Sequence, residues 1–115
     1  MIFGIGIDQV EIDRIRNACE SNKRFQERIY TDCELKYCLS KKNPYPHLAA
    51  RFAAKEALFK ALGRRIVWKD VEVLKEDSGK PYFKFKNPFD FELISNISLS
   101  HDTKFASAIV ILEVK

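Results

Sequence analysis

The first ten residues alternate between two kinds of side chain, and this constrains the fold more than any other stretch. In IFGIGIDQV the odd positions 3, 5 and 7 are large and apolar, whereas the even positions are Gly4, Gly6 and Asp8. Because successive side chains of a strand point to opposite faces, the spacing predicts a strand over residues 2–10. One face of it is bare at the glycines, and Asp8 projects from that same face.

An alanine-rich segment is the natural partner for the bare face. HLAARFAAKEALFKALG, residues 47–63, has alanines at 50, 53/54, 57 and 61, which is helical spacing, and Gly63 is a natural C-terminal stop. Small side chains let a helix backbone approach closely, so we expect this helix to dock on the glycines of the first strand. Docking of this kind brings Glu56 towards Asp8, with Lys60 one turn further on.

The other segments complete an α+β pattern. Helices are predicted from about residue 11, from the T-x-x-E capping box at Thr31, and from Pro46. A hairpin of VEVLK and YFKFK follows, and then the strands ISLS and FASAIVILEV. The last strand is apolar at almost every position, which predicts cover on both faces, with another subunit as the second cover. We therefore expect one domain over residues 1–115: an N-terminal strand, three helices, then antiparallel strands.

Composition narrows the class of protein without identifying it. The chain has 115 residues and a net charge of +4, and its three cysteines form no C-x-x-C pair. Free thiols, short apolar runs and acidic residues near the N-terminus predict a cytoplasmic protein with no membrane segment. The positive charge is compatible with nucleic acid, a phosphorylated small molecule or an acidic protein as partner.

Two carboxylates beside a lysine suit a magnesium ion and a phosphate group. Mg²⁺ binds one or two protein carboxylates together with water and substrate oxygens, and a lysine then faces the phosphates. Other interpretations stay open at this point. Glu56 and Lys60 are also spaced as an exposed i, i+4 ion pair, and Asp8 could be a hydrogen-bonded structural residue. His101, in SLSHD after a strand, could equally be a structural or surface histidine.

Taken as a set, four motifs resemble one family. GIGIDQVEIDRI, RFAAKEALFKALG, the Gly79-Lys80-Pro81 turn and SLSHD have the order and spacing of the holo-acyl-carrier-protein synthases, which are small bacterial 4'-phosphopantetheinyl transferases. The resemblance implies the fold of that family. It also implies transfer of 4'-phosphopantetheine from coenzyme A to a serine of apo acyl carrier protein, with release of adenosine 3',5'-bisphosphate, in fatty acid biosynthesis.

The resemblance also implies roles for particular residues. The metal ligands for Mg²⁺ are Asp8 and Glu56, and the catalytic residues are Glu56, Lys60 and His101. The residues that contact coenzyme A are Arg51, Lys60, Gly63, Pro81 and His101. The basic residues that dock the acidic carrier protein are Arg14, Arg24 and Arg28. The family is typically a homotrimer with its sites between subunits, which fits the doubly apolar last strand.

Two departures from the family pattern stand out. Where the family usually has Thr-Gly and a longer loop after the helix, this chain has Arg64-Arg65 and a short connection, and position 21, often basic in relatives, is Ser21.

Two other classes of protein are also considered. One is a small basic module that binds nucleic acid, and the other is a carrier-protein-binding subunit that has lost catalysis.

Overall fold

The computed structural model describes residues 1–115 and has the predicted succession of a strand, then helices, then strands. The elements are β1 Ile2–Glu11, α1 Ile12–Ser21, α2 Lys23–Ile29, α3 Asp32–Leu39, α4 Tyr45–Leu62, a 3₁₀ helix Trp68–Asp70, β2 Val71–Lys75, β3 Pro81–Phe85, β4 Leu93–His101 and β5 Phe105–Val114. The α+β class, with a strand, then helices, then antiparallel strands, is confirmed.

The structure has four α-helices where we predict three. The additional helix, α2, begins where Asn22 Oδ1 accepts a hydrogen bond of 3.0 Å from the backbone N–H of Arg24. At seven residues it is too short to show a clear periodicity. Its only sequence signals are the favoured N-cap asparagine and the spacing of Phe25 and Ile29.

The ends of α3 and α4 follow the predicted caps. At the start of α3, Thr31 Oγ1 accepts from the backbone N–H of Glu34, and Glu34 Oε1 accepts from that of Thr31. Pro46 lies in the first turn of α4, and Gly63 ends that helix in the left-handed region, with φ of 80°. No helix in the chain combines the length and the apolar character that a bilayer crossing needs.

Two antiparallel sheets flank the helices. The larger has the strand order β1-β5-β4, and the smaller is the β2-β3 hairpin. In the larger sheet Asp8 pairs with Ala108 of β5, and Ala106, two residues before Ala108, pairs with His101. Because paired residues share a face, Asp8 and His101 lie on the same face of the sheet, separated by the width of β5.

Helix α4 packs on that face through the predicted contact between glycine and alanine. A Cβ atom built on Gly6 would overlap the carbonyl oxygen of Ala57 and lie 2.8 Å from its carbonyl carbon. A Cβ atom on Gly4 would overlap the carbonyl oxygen of Ala61 in the same way. The docking that residue size predicts is therefore observed, and it brings the backbones of β1 and α4 into direct contact.

The opposite face of the sheet carries exposed apolar side chains. Ile5 is 58% exposed, Ile7 65% and the neighbouring Ile109 of β5 39%. Phe3 is also exposed on this face. Within one chain, α4 thus covers one face of β1 and β5, and the other face is open.

A buried ion pair anchors α4 on its far side. The side chains of Lys55 and Glu34 are both 0% exposed, with Nζ 2.7 Å from Oε1. Lys55 Nζ also donates to the carbonyl oxygens of Ile29, at 2.8 Å, and Trp68, at 3.0 Å. Glu34 Oε2 accepts from the backbone N–H of Val73 at 2.8 Å. Five elements, α2, α3, α4, the 3₁₀ helix and β2, therefore meet at one charged pair that the sequence did not indicate.

Candidate active site

Asp8 and Lys60 meet where α4 crosses β1. Lys60 Nζ donates to Asp8 Oδ1 at 3.2 Å and to the carbonyl oxygen of Ile7 at 2.9 Å. The aspartate side chain is 16% exposed, whereas the lysine is 54% exposed. The lysine is thus held at its amine by β1 while its side chain remains open to solvent. The predicted approach of Lys60 to Asp8 is observed.

Glu56 lies near Asp8 but has a different partner from the one that its spacing suggests. Its two carboxylate oxygens accept from Arg65, Oε1 from Nη1 at 2.9 Å and Oε2 from Nη2 at 3.2 Å. The i, i+4 ion pair between Glu56 and Lys60 is therefore not formed, and that alternative interpretation is wrong. No feature of the sequence indicated Arg65, because its approach depends on how the chain turns after Gly63.

The pKa of Asp8 depends on its burial and on the charged residues around it. Burial raises the pKa of Asp8 above its ordinary value, and the charge of Glu56 acts in the same direction, whereas the hydrogen bond and charge of Lys60 and the charge of Arg14 oppose them. Two carboxylates close together disfavour each other's ionised form unless cations lie between them. Positive charge beside these carboxylates is therefore favourable, and Lys60 and Arg65 already supply part of it.

The donor set fits Mg²⁺ better than it fits a metal that needs many protein ligands. No group of three or more histidine, cysteine, aspartate or glutamate side chains converges anywhere in the chain. Asp8 and Glu56 provide carboxylates, and their side chains are 16% and 17% exposed. Mg²⁺ typically takes one or two carboxylates and completes its shell with water and phosphate oxygens. These two residues could hold such an ion.

The predicted residues Arg51 and His101 belong to a second cluster, at the start of α4. His101 packs against His47, with ring centroids 6.0 Å apart, and His47 packs edge-on against Tyr37. The Arg51 guanidinium carbon lies 4.4 Å from the centre of the Tyr37 ring. Arg51 is buried and its Nε has no hydrogen-bond partner. The structure thus separates these residues from Asp8, Glu56 and Lys60 within one chain.

Two further cations complete this second cluster. Lys41 Nζ lies 4.6 Å and Lys75 Nζ 5.5 Å from the centre of the Tyr37 ring. Burial raises the pKa of Tyr37, but the hydrogen bond and charge of Lys75 and the charges of Lys41 and Arg51 outweigh it and lower the pKa. Several cations therefore gather around Tyr37, and positive charge gathered in this way attracts anions.

Sequence reasoning missed four members of the second cluster. As part of a short run of charged residues, Lys41 is predicted to lie on the solvated surface, and His47, next to Pro46 at a helix start, is predicted to be structural. The sequence gives Tyr37 and Lys75 no role. All four meet only because α3, α4 and the hairpin pack together. His101 of SLSHD contacts His47, but nothing in the sequence links Tyr37, Lys41 and Lys75 to that motif.

The other predicted site residues lie at the end of α4, in the hairpin, and on α1 and α2. Gly63 lines a depression of about 360 Å³ together with Glu56, Lys60 and Arg65. Pro81 pairs with Lys75 in the hairpin, beside the second cluster. The three predicted docking arginines are all exposed, and they are Arg14 on α1 and Arg24 and Arg28 on α2.

The second cluster predicts a pH dependence of folding. Burial lowers the pKa of His47 below its ordinary value of 6.5, and the charges of Arg51, Lys41, His101 and Lys75 act in the same direction. Between the folded pKa and about 6.5 the unfolded chain binds more protons, so the free energy of unfolding should fall as pH drops through this window.

The variant His47→Gln isolates this contribution. Urea unfolding at several pH values from about 7.5 to 5 should show a shallower decline in stability for the variant than for the parent protein, because the other titrating groups are common to both. Equal slopes would show that His47 contributes nothing to the pH dependence.

The comparisons with known proteins identify the family to which the chain belongs. The sequence profile of the 4'-phosphopantetheinyl transferase superfamily matches residues 4–110. The chain therefore belongs to the 4'-phosphopantetheinyl transferase superfamily. Similarity is high to proteins named holo-[acyl-carrier-protein] synthase. That of Halothermothrix orenii is 43% identical over 123 residues, covering 98% of each chain. That of Geobacter sulfurreducens is 44% identical over 124 residues, again covering 98% of each.

Solved structures of such synthases have the same fold over nearly the full length of this chain. The holo-(acyl-carrier-protein) synthase of Bacillus anthracis, in complex with CoA (3',5'-ADP), superimposes with a TM-score of 0.89 and 38% identity, covering 100% of this chain and 99% of that chain. The Helicobacter pylori synthase in complex with coenzyme A gives a TM-score of 0.83 and 30% identity, with coverage of 95% and 99%. The resemblance that the motifs indicate is confirmed.

Proposed function

We propose that this protein is a holo-acyl-carrier-protein synthase that transfers 4'-phosphopantetheine from coenzyme A to a serine of apo acyl carrier protein, within fatty acid biosynthesis. The observation that carries the proposal is the first cluster, by which we mean Asp8, Glu56 and Lys60. It forms where α4 docks on the glycines of β1. Full-length similarity to named synthases supports it.

The residues of the cluster have separate tasks in this reaction. The serine hydroxyl oxygen attacks the phosphorus of the pantetheine-linked phosphate, the bond from that phosphorus to the bridging oxygen breaks, and adenosine 3',5'-bisphosphate leaves. Glu56 accepts the serine proton on its carboxylate, directly or through a water molecule, and Lys60 neutralises charge on the phosphates. A bound Mg²⁺, held by Asp8 and Glu56, would supply further charge neutralisation. Asp8 also fixes the Lys60 amine beside the site.

The second cluster is proposed to hold the nucleotide phosphates of coenzyme A. Arg51 and His101, with the lysines around Tyr37, present the cations that such phosphates need. Arg51 and Lys60 are nine positions apart on α4, about 14 Å along its axis. We propose that a complete site combines the first cluster of one subunit with the second cluster of its neighbour in a homotrimer. The exposed apolar face of the β1-β5-β4 sheet supports such an assembly.

Carrier-protein binding is proposed to be electrostatic. Arg14, Arg24 and Arg28 are exposed on neighbouring helices, and the charge of Arg14 reaches Asp8. An acidic carrier protein docked on these arginines would present its serine near the first cluster, and its binding should weaken with salt. The free thiols support our proposal that the enzyme acts in the reducing cytoplasm.

A mass-spectrometric assay tests the proposed function. Apo acyl carrier protein is incubated with coenzyme A, Mg²⁺ and the enzyme, and should gain the mass of one phosphopantetheine group. Glu56→Gln should slow the transfer by about 100-fold or more, because it removes the proton acceptor. Glu76→Gln, a matched change at an exposed hairpin residue, should leave the rate within about twofold.

Two results would contradict this proposal. The first is the absence of any mass gain across a range of salt and metal concentrations, and salt-sensitive binding of nucleic acid in the same samples would then favour the basic-module alternative. The second, a Glu56→Gln variant with wild-type turnover and wild-type metal affinity, would remove Glu56 from the mechanism.

A further inference from the structure

Arg65 occupies the carboxylate that the proposed function needs for the metal. Its two terminal nitrogens donate to the two oxygens of Glu56 in a bidentate pair, at 2.9 and 3.2 Å. Both oxygens of Glu56 accept from Arg65, so an ion that binds Glu56 must either share this carboxylate with the positive charge of the guanidinium or displace it. Asp8 is likewise paired, with Lys60. Each carboxylate of the first cluster thus has a cation supplied by the chain itself.

The approach of Arg65 is built into the fold. The left-handed conformation of Gly63 ends α4 and turns the chain back over its own last turns. The guanidinium carbon then lies 5.5 Å from the centre of the Phe59 ring and 5.8 Å from that of Trp68. Lys55 Nζ donates a hydrogen bond to the carbonyl oxygen of Trp68 and so fixes the backbone that carries this ring. The two aromatic rings therefore form a platform that positions the guanidinium beside Glu56.

The exposure of the two partners differs, and this decides which of them can move. The Glu56 side chain is 17% exposed, whereas that of Arg65 is 65% exposed. Arg65 can therefore leave Glu56 without disturbing the core, whereas Glu56 stays in place. Arg65 and Lys60 line the same depression at the end of α4, so a phosphate that Lys60 neutralises in the proposed reaction is also close to Arg65. A planar guanidinium fork matches a phosphate as well as it matches a carboxylate.

We propose that Arg65 is an internal counter-ion of Glu56 that couples metal binding to coenzyme A binding. In the free protein it competes with a divalent cation for Glu56 and so weakens metal binding. When coenzyme A binds, its phosphates take the guanidinium and release Glu56 to the metal. The inference rests on the proposed function for its substrate, but the competition for Glu56 is a property of the free protein.

The first test measures metal binding without substrate. Mn²⁺ is titrated into the free protein and followed by electron paramagnetic resonance, for the parent protein and for Arg65→Gln and Arg64→Gln. Arg64 is exposed, lines the same depression and carries the same charge, so its variant controls for the general change in net charge. Arg65→Gln should bind Mn²⁺ about fivefold more tightly than Arg64→Gln, because only Arg65 pairs with Glu56.

The second test measures the coupling. The Mn²⁺ titrations are repeated with saturating coenzyme A, and the ratio of the two affinities is the coupling between the ligands. It should be several-fold larger in the parent protein than in Arg65→Gln. Equal Mn²⁺ affinities for the two free variants, or no Mn²⁺ binding to any of the free proteins, would overturn the inference. Failure of the proposed function has a different readout, which is the absence of phosphopantetheine transfer in the mass-spectrometric assay.

Discussion

Gly6→Ala should destabilise the protein by about 3 kcal/mol, since overpacking against a backbone has no rotamer that relieves it. The added Cβ atom would overlap the carbonyl oxygen of Ala57 and lie 2.9 Å from the backbone nitrogen of Ala61. Only a displacement of α4 from β1 makes room for it. A loss of this size is a large part of the stability of an ordinary domain. Urea unfolding followed by circular dichroism measures it.

The matched control for Gly6→Ala is Gln9→Ala. Gln9 lies on the same strand but on the exposed face, so its variant should unfold within about 0.5 kcal/mol of the parent protein. A Gly6→Ala protein that unfolds at the same urea concentration as Gln9→Ala would show that the contact between β1 and α4 is looser than the structure has it.

Lys55→Met should cost about 3–5 kcal/mol, the range found when one partner of a buried ion pair is removed. The change deletes three hydrogen bonds and leaves the carboxylate of Glu34, which is 0% exposed, without its counter-ion. Burial lowers the pKa of Lys55 and the charge of Glu34 opposes that shift, so the pair is held together by mutual neutralisation. Chemical unfolding of the variant measures the cost.

The double variant Lys55→Met/Glu34→Gln is the informative control. It leaves no charge in the core, and a glutamine oxygen can still accept a hydrogen bond from the backbone N–H of Val73 or Thr31. We therefore expect the double variant to be more stable than Lys55→Met alone. If it is equally unstable or worse, the cost comes from lost packing and hydrogen bonds and not from an uncompensated charge.

Both variants disturb the same element, which is why they bear on function. Gly6 determines how close α4 lies to β1, and Lys55 holds the opposite side of that helix to α2, α3 and the 3₁₀ helix. Glu56 and Lys60 lie between these two anchors. Their positions relative to Asp8 therefore depend on packing contacts that carry no chemistry themselves.

The first cluster could be predicted almost completely from the sequence. Alternation places Asp8 on the glycine face of β1, and helical spacing places Glu56 and Lys60 near one edge of the alanine stripe. Residue size then predicts that the two faces meet. Each step uses near neighbours along the chain, and the structure has all three residues at one end of α4.

The second cluster could not be assembled in the same way. His101 and Arg51 could be singled out by their motifs, but Tyr37 and Lys75 lie on α3 and the hairpin, and nothing local links them. The short helix α2 was missed for the opposite reason. Its signals are local but extend over only seven residues, too few for a periodicity to be distinguished from chance.

The sequence by itself determined the elements, their faces and the contact between β1 and α4, because periodicity, caps and side-chain size act over a few residues. Only the tertiary structure decided the partners of the charged groups. Arg65 reaches Glu56 across nine positions, Lys55 reaches Glu34 across 21, and Lys60 reaches Asp8 across 52. An ion pair forms wherever folding brings opposite charges together, and many lysines and arginines in the chain could satisfy a given carboxylate. The choice of Arg65 for Glu56 follows from the turn at Gly63 and the rings beneath it, and on that choice the proposed coupling of metal and substrate depends.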